Sequence, residues 1–114
     1  MRVLVCGSRH FKDSELMKET LFQNLYPGDT LIHGDAKGAD KLAEQLAQPY
    51  VVIERYPADW KTYGRAAGPI RNKQMLEEGQ PDLVVAFLTE ESKGTKNMLE
   101  QATQAGVTVK VINI

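Results

Sequence analysis

The sequence predicts an α/β fold, a three-layer α/β/α domain built on a five-stranded, mainly parallel sheet. Three observations carry this expectation. Short runs of valine, leucine and isoleucine alternate with longer amphipathic stretches from one end of the chain to the other. Two of the runs, RVLVC at 2–6 and DLVVAFL at 82–88, are apolar at nearly every position, as strands covered on both faces are. Glycine or proline turns punctuate the alternation.

The elements follow in order. Residues 2–6 form the first strand, which stops at Gly7-Ser8-Arg9-His10. Asp13 or Ser14 caps a helix with Met17, Leu21 and Leu25 on one face. Pro27-Gly28-Asp29 is a turn, and Leu31-Ile32 is the second strand. A glycine-bearing turn, HGDAKG at 33–38, leads into an amphipathic helix. That helix carries Ala39, Leu42, Ala43, Leu46 and Ala47 at i, i+3, i+4, i+7 and i+8, and Pro49 ends it. Residues 51–56 (VVIERY) form the third strand, closed by Pro57. The segment 58–68 (ADWKTYGRAAG) is the least regular. Pro69 fits the first position of a helix running through Ile70, Met75 and Leu76 to a C-terminal Gly79, with Pro81 beyond. After the fourth strand, Gly94-Thr95 opens a helix that ends near Gly106, and VTVKVI at 107–112 is the last strand. Strands alternating with helices put helices on both faces of the sheet. All 114 residues are read as one domain.

Composition narrows the function. The net charge is −1 and the sequence pI is about 6.1, so no global basic field draws nucleic acid or anionic membrane. The single cysteine, Cys6, excludes an internal disulfide and reads as a small core residue. No apolar run is long enough to span a membrane, and MRVLVCGSR is a strand and turn rather than a signal peptide. A cytoplasmic protein is expected.

In an open parallel sheet, ligands bind beyond the carboxyl ends of the strands. The residues there are Gly7, Ser8, Arg9 and His10 after the first strand, and Gly34, Asp35, Lys37 and Gly38 after the second. Trp60, Tyr63, Arg65, Arg71 and Asn72 follow the third, and Ser92, Lys93, Gly94 and Thr95 the fourth. Four connections thus place a cation near a helix N-terminus, where each opposes the helix dipole by about 0.3–1 kcal/mol. Chance surface charge is one explanation. An anion such as phosphate, held by Arg or Lys and by backbone N–H groups, is the other. Neither a P-loop nor a G-x-G-x-x-G fingerprint is present. His10 and His33 lack partners at metal spacing, and Ser8 has no Ser-His-Asp context, so no metal or cofactor is expected. Asp35 and Asp40 are candidate acid–base groups, although capping and sugar-hydroxyl binding are commoner roles. Trp60 and Tyr63 either stack on a base or pack within their loop.

Several stretches carry a resemblance: VLVCGSRHF, LIHGDAKGADKLAEQLA, YPADWKTYGRAAGPIRNKQM, VVAF and SKGTKNM. Together they resemble the small YspA/YpsA-related members of the SLOG superfamily. That group shares a Rossmann-like fold with the Lonely Guy (LOG) phosphoribohydrolases and the core of the DNA-processing protein DprA. The resemblance implies a nucleotide or nucleotide-derived ligand at the loop edge, and a homodimer or higher oligomer. The expected binding set is Gly7, Ser8, Arg9, His33, Gly34, Asp35, Lys37, Gly38, Asp40, Trp60, Arg71, Asn72, Phe87, Lys93, Gly94 and Thr95.

Activity is less uniform across the superfamily. LOG-type enzymes cleave the N-glycosidic bond of nucleoside monophosphates with a P-G-G-x-G-T-x-x-E motif and an earlier Arg. Arg71 stands in a position similar to that Arg, and Gly94-Thr95 matches the phosphate turn. The glycine pair is replaced by Glu90, Glu91 and Ser92, and Met98 stands at the catalytic Glu. Methionine cannot handle a proton. A binding module (sensor, sequestering or accessory) is therefore expected. An N-glycosidase using Arg71 with Asp35, Asp40 or Glu100 is the alternative, and a DprA-like nucleic-acid module the second.

Overall fold

The computed structural model describes residues 1–114. Its strands are β1 (Arg2–Gly7), β2 (Thr30–His33), β3 (Val52–Arg55), β4 (Leu83–Leu88) and β5 (Thr108–Asn113). They lie in the order β3-β2-β1-β4-β5, and every neighbouring pair is parallel. The helices are α1 (Ser14–Asn24), α2 (Ala39–Ala47), α3 (Trp60–Tyr63), α4 (Ala67–Gly79) and α5 (Lys93–Gln104). This is a Rossmann-like α/β/α architecture.

Side chains alternate across β1, and each set meets its own helices. Val3 and Val5 pack with Met17 and Leu21 of α1 and with Ala39, Ala43 and Ala47 of α2. Leu4 and Cys6 pack on the opposite face with Met75 of α4 and with Met98 and Ala102 of α5. The alanines of α2 let it sit close to the sheet. β1 lies at the centre with β2 and β4 beside it, and the long runs of β1 and β4 are apolar because both of their faces are covered. At the edges, β3 and β5 leave Val52 and Val111 partly in water.

The strand order creates the crevice. From β1 the chain moves outward through β2 to β3, then crosses back by α4 to reach β4 on the other side of β1. The connections leaving β1 and β4 therefore diverge, and a gap opens above those two strand ends. Gly7 sits at its base: a Cβ there would lie 2.8 Å from the Cβ atoms of both Ala39 and Phe87. Gly38, at φ 79°, turns the chain into α2, and any side chain on it would strike the Ser8 carbonyl at 2.3 Å. That carbonyl accepts the N–H groups of both Phe11 and Ala39 at 3.2 Å, which joins the two loops.

Several boundaries differ from the sequence reading. Of the two caps offered for α1, Asp13 is the one used, its carboxylate accepting from the Leu16 N–H at 3.0 Å. Residues 58–68 are more ordered than expected. Asp59 caps α3 by accepting from the Thr62 N–H at 3.1 Å, and a 3-10 turn, Gly64–Ala66, runs into α4. Pro69 is consequently the third residue of its helix, still in the first turn where no N–H is required. α4 ends with Gln80, rather than a glycine, in the left-handed conformation, while Gly79 leaves room for Ile32. α5 begins at Lys93, one residue before the expected Gly94.

Gly7→Ala is expected to lower stability by about 1–3 kcal/mol, the range for overpacking a tight core position. Urea unfolding measures this. An unchanged midpoint would mean that β4 and α2 separate from β1 at no cost.

Candidate ligand-binding cleft

A cleft of about 440 Å³ opens at the carboxyl ends of β1 and β4. Its walls are the β1 loop, the start of α2, Trp60, the first turns of α4 and the β4–α5 connection. A larger groove of about 620 Å³ lies between α1 and α2, lined by Leu21, Phe22, Tyr26, Leu46 and Tyr50 among others, with Lys18 its one charged side chain. Size favours that groove, but convergent polar groups at a strand switch point favour the cleft, and these are what a polar ligand needs.

Arg71 projects from α4 into the cleft and is half-buried. Its Nη1 donates to the Gly34 carbonyl at 2.5 Å, and its Nε donates to Asn72 Oδ1 at 3.1 Å. Nη2 donates to no group of the chain. Gly34 makes this seat possible, because a Cβ on it would stand 2.2 Å from Nη1. Burial pulls the guanidinium's pKa down, and the charge of Asp40 pushes it back up.

Asp40 is buried at the start of α2, and burial pushes its carboxyl above the usual carboxylate range. Its Oδ2 accepts the N–H groups of Gly34 at 3.0 Å and Ala36 at 3.2 Å. The β2–α2 turn is therefore already occupied by the protein's own carboxyl group.

The start of α5 is open instead. Ser92 stands at the cap position, but its hydroxyl bonds to the Thr89 N–H at 3.1 Å and the Thr89 hydroxyl at 2.6 Å, and does not cap the helix. The N–H groups of Gly94 and Thr95 donate to no acceptor in the chain. Both residues line the same cleft as Arg71, at the positive end of a 12-residue helix. Arg9 and Lys93 are exposed at its mouth.

Comparison with known proteins bears on what such a cleft does. The model of the YspA, cpYpsA-related SLOG family matches residues 1–63. The chain belongs to that family. It is also similar to the Gene 61 protein of Mycobacterium phage D29, 35% identical over 117 residues that span 95% of this chain and 93% of that protein.

In this SLOG-family chain the cleft gathers ten of the residues expected from the sequence: Gly7, Ser8, Arg9, Asp40, Trp60, Arg71, Asn72, Lys93, Gly94 and Thr95. Gly34 borders it as the seat of Arg71. The others lie outside its lining. Lys37 is exposed beside the turn, Gly38 packs on the β1 loop, and Asp35 pairs with Lys41. Phe87 is in the core, its ring 4.8 Å from that of Phe11. His33 is fully buried and accepts the Asp35 N–H on Nδ1 at 2.9 Å. The proton is therefore on Nε2, which donates to Glu44 at 2.7 Å. Glu44 also receives Arg55 through two bonds at 2.7 and 2.9 Å.

The cleft also includes Cys6, His10, Ala36, Gly68, Met75, Glu91 and Ser92, which were not in the expected set. His10 and Ser92 follow strand ends, and two more had a signal in the sequence. Cys6 is the last residue of the β1 row facing α4 and α5, and Met75 stands one turn beyond Arg71. Burial pushes the Cys6 thiol pKa up, so it stays protonated and unreactive. Met98 is fully buried in the core, whereas Glu100 borders an outer groove between α4 and α5. Asp40 and Glu91 are the carboxylates that line the cleft.

The Arg55 bonds above all hold the Glu44 carboxyl down at about 2, against an ordinary 4.5. A lowered carboxyl contributes its full stability above the unfolded value and loses it as pH falls through the folded one. Stability should therefore decline from about pH 4.5 to about pH 2, and Glu44→Gln should flatten that decline. Unfolding measured across the window tests this, and equal slopes in the two proteins would exclude Glu44 as the group. At neutral pH Glu44→Ala should cost about 1–3 kcal/mol, because it strands the buried His33 donor.

Proposed function

We propose that this chain binds a nucleotide or nucleotide-derived ligand, its phosphate seated between Arg71 and the first turn of α5. It serves as a sensor, sequestering or accessory module of the cytoplasm. One observation carries the reading: a half-buried guanidinium keeps Nη2 uncommitted and shares a cleft with two unpaired helix N–H groups. Family membership is consistent with a nucleotide-related function.

Magnitudes indicate more than a bare phosphate. A charge-assisted hydrogen bond contributes about 1.5–3 kcal/mol, and a favourable helix terminus up to about 2 kcal/mol. Their sum approaches the roughly 4 kcal/mol of millimolar binding. Micromolar binding needs about 8 kcal/mol, so a sugar and base must supply the rest. Trp60, exposed at the rim beside Gly68, offers a ring on which a base could stack, worth about 1–3 kcal/mol.

A second reading, hydrolysis of an N-glycosidic bond, rests on Glu91. It is an exposed carboxylate in the cleft with no ion-pair partner. Asp40 is committed to the turn, and Met98 lies in the core. Binding without turnover is therefore the preferred reading.

Calorimetry with the four ribonucleoside 5′-monophosphates and inorganic phosphate tests it. At least one nucleotide should bind well below millimolar, and inorganic phosphate far more weakly. Arg71→Ala should cost about 1.5–3 kcal/mol. Gly34→Ala should weaken binding similarly with little loss of stability, since only a flexible guanidinium must swing away. No binding at millimolar nucleotide, or full affinity in Arg71→Ala, would overturn the assignment. The emission of Trp60, the single tryptophan, should shift on saturation; an indifferent spectrum would remove it from the base site. Free base released by the wild type and abolished in Glu91→Gln would establish the hydrolase instead.

A further inference from the structure

Asn72 follows Arg71 in α4 and is buried. Its Oδ1 accepts from Arg71 Nε at 3.1 Å. Its Nδ2 donates to the Gly94 carbonyl and to Asn97 Oδ1, both at 3.1 Å. Asn97 Oδ1 also accepts from Gln101 Nε2 at 2.7 Å, and the same Gln101 nitrogen reaches the Pro69 carbonyl at 3.2 Å. The α4 and α5 starts are thus tied by one network, and Asn72 is where that network meets the guanidinium.

The chemistry of an amide explains the residue. Guanidinium only donates, so it must face an acceptor. The Gly94 carbonyl only accepts, so it must face a donor. Asparagine presents both from one short side chain. An aspartate would place a second acceptor against Gly94 and Asn97, and a leucine would leave the Arg71 Nε–H without its acceptor while removing a donor from Gly94 and Asn97. Both hydrogens of the Asn72 amide are committed, so it has no donor left for a phosphate.

We propose that Asn72 is a positioning residue: it locks the Arg71 guanidinium to the first turn of α5 and so sets the geometry of the anion site without touching the ligand. This rests on the phosphate site proposed above. Arg71 is held at one end by Gly34, on the β2 loop, and at the other by Asn72. Nη2 is left uncommitted on a residue that lines the cleft.

A double-mutant cycle tests the proposal, with a separate observation on the free protein. Binding of the four ribonucleoside 5′-monophosphates is measured in wild type, Arg71→Ala, Asn72→Ala and the double variant, each shown to fold by circular dichroism. Asn72→Ser replaces Asn72→Ala if the latter does not fold. With Arg71 present, loss of the amide should weaken binding about tenfold; with Arg71 absent, about twofold or less. Equal losses in both backgrounds, as direct contact or general softening would give, overturn the proposal, and so does no loss with Arg71 present. In the ligand-free protein, the Arg71 Nε–H resonance, assigned by its disappearance in Arg71→Lys, should shift and exchange faster with water in the Asn72 variant. An unchanged resonance overturns the positioning role whatever the binding data show. A changed resonance in a protein that binds none of the nucleotides overturns the phosphate reading and leaves the lock on Arg71 standing.

Discussion

The buried carboxyl of Asp40 is the group on which the cleft depends. Buried at the start of α2, it takes the N–H groups of Gly34 and Ala36 and so gives the β2–α2 turn its shape. Burial disfavours the charged form of Asp40, and the positive charge of Arg71 offsets part of that. The guanidinium then closes on the Gly34 carbonyl, and the crossover helix α4 is fastened to a loop two strands away from β4.

Two helix N-termini meet at this edge of the sheet, and they end differently. The turn before α2 is filled from within by Asp40. The cations near it, Lys37 and Lys41, face outward, and Lys41 pairs with Asp35. The first turn of α5 receives no side chain from its own cap, because Ser92 turns back to Thr89. Both termini carry the same partial charge, yet one has its counter-charge built in and the other has unpaired donors. Arg71 lies between them, bonded toward α2 and toward α5 with a nitrogen to spare.

Much of the architecture was legible in the sequence. Apolar runs and amphipathic stretches placed all the strands and the principal helices, with boundaries shifted by a residue or two. The short α3 escaped notice because four residues carry no measurable periodicity. The cleft was legible in part. Arg9, Arg71, Gly94 and Thr95 were expected there because they follow strands whose carboxyl ends must share one edge. The reasons for individual residues were less visible. Gly34 is needed for a side chain 37 positions later, and Asn72 works through groups 22 and 25 positions later. No local pattern encodes such pairs.

By itself the sequence determined the alternation of strand and helix, and with it a parallel sheet whose loops gather at one edge. That follows from periodicity, a local property of the chain. Which loops face one another was decided by the tertiary structure, through the order β3-β2-β1-β4-β5. This order puts β1 and β4 side by side and opens the gap between them, while it leaves the end of β2 one strand away. Hence Arg71 and α5 share a cleft, and Asp35, Lys37 and His33 do not line it. Polar side chains in this region take whichever partner the packing brings within about 3 Å. His33 found Glu44, Asp35 found Lys41, and Asp40 found the backbone of its own turn, choices that depend on distances in space and not on spacing in the chain.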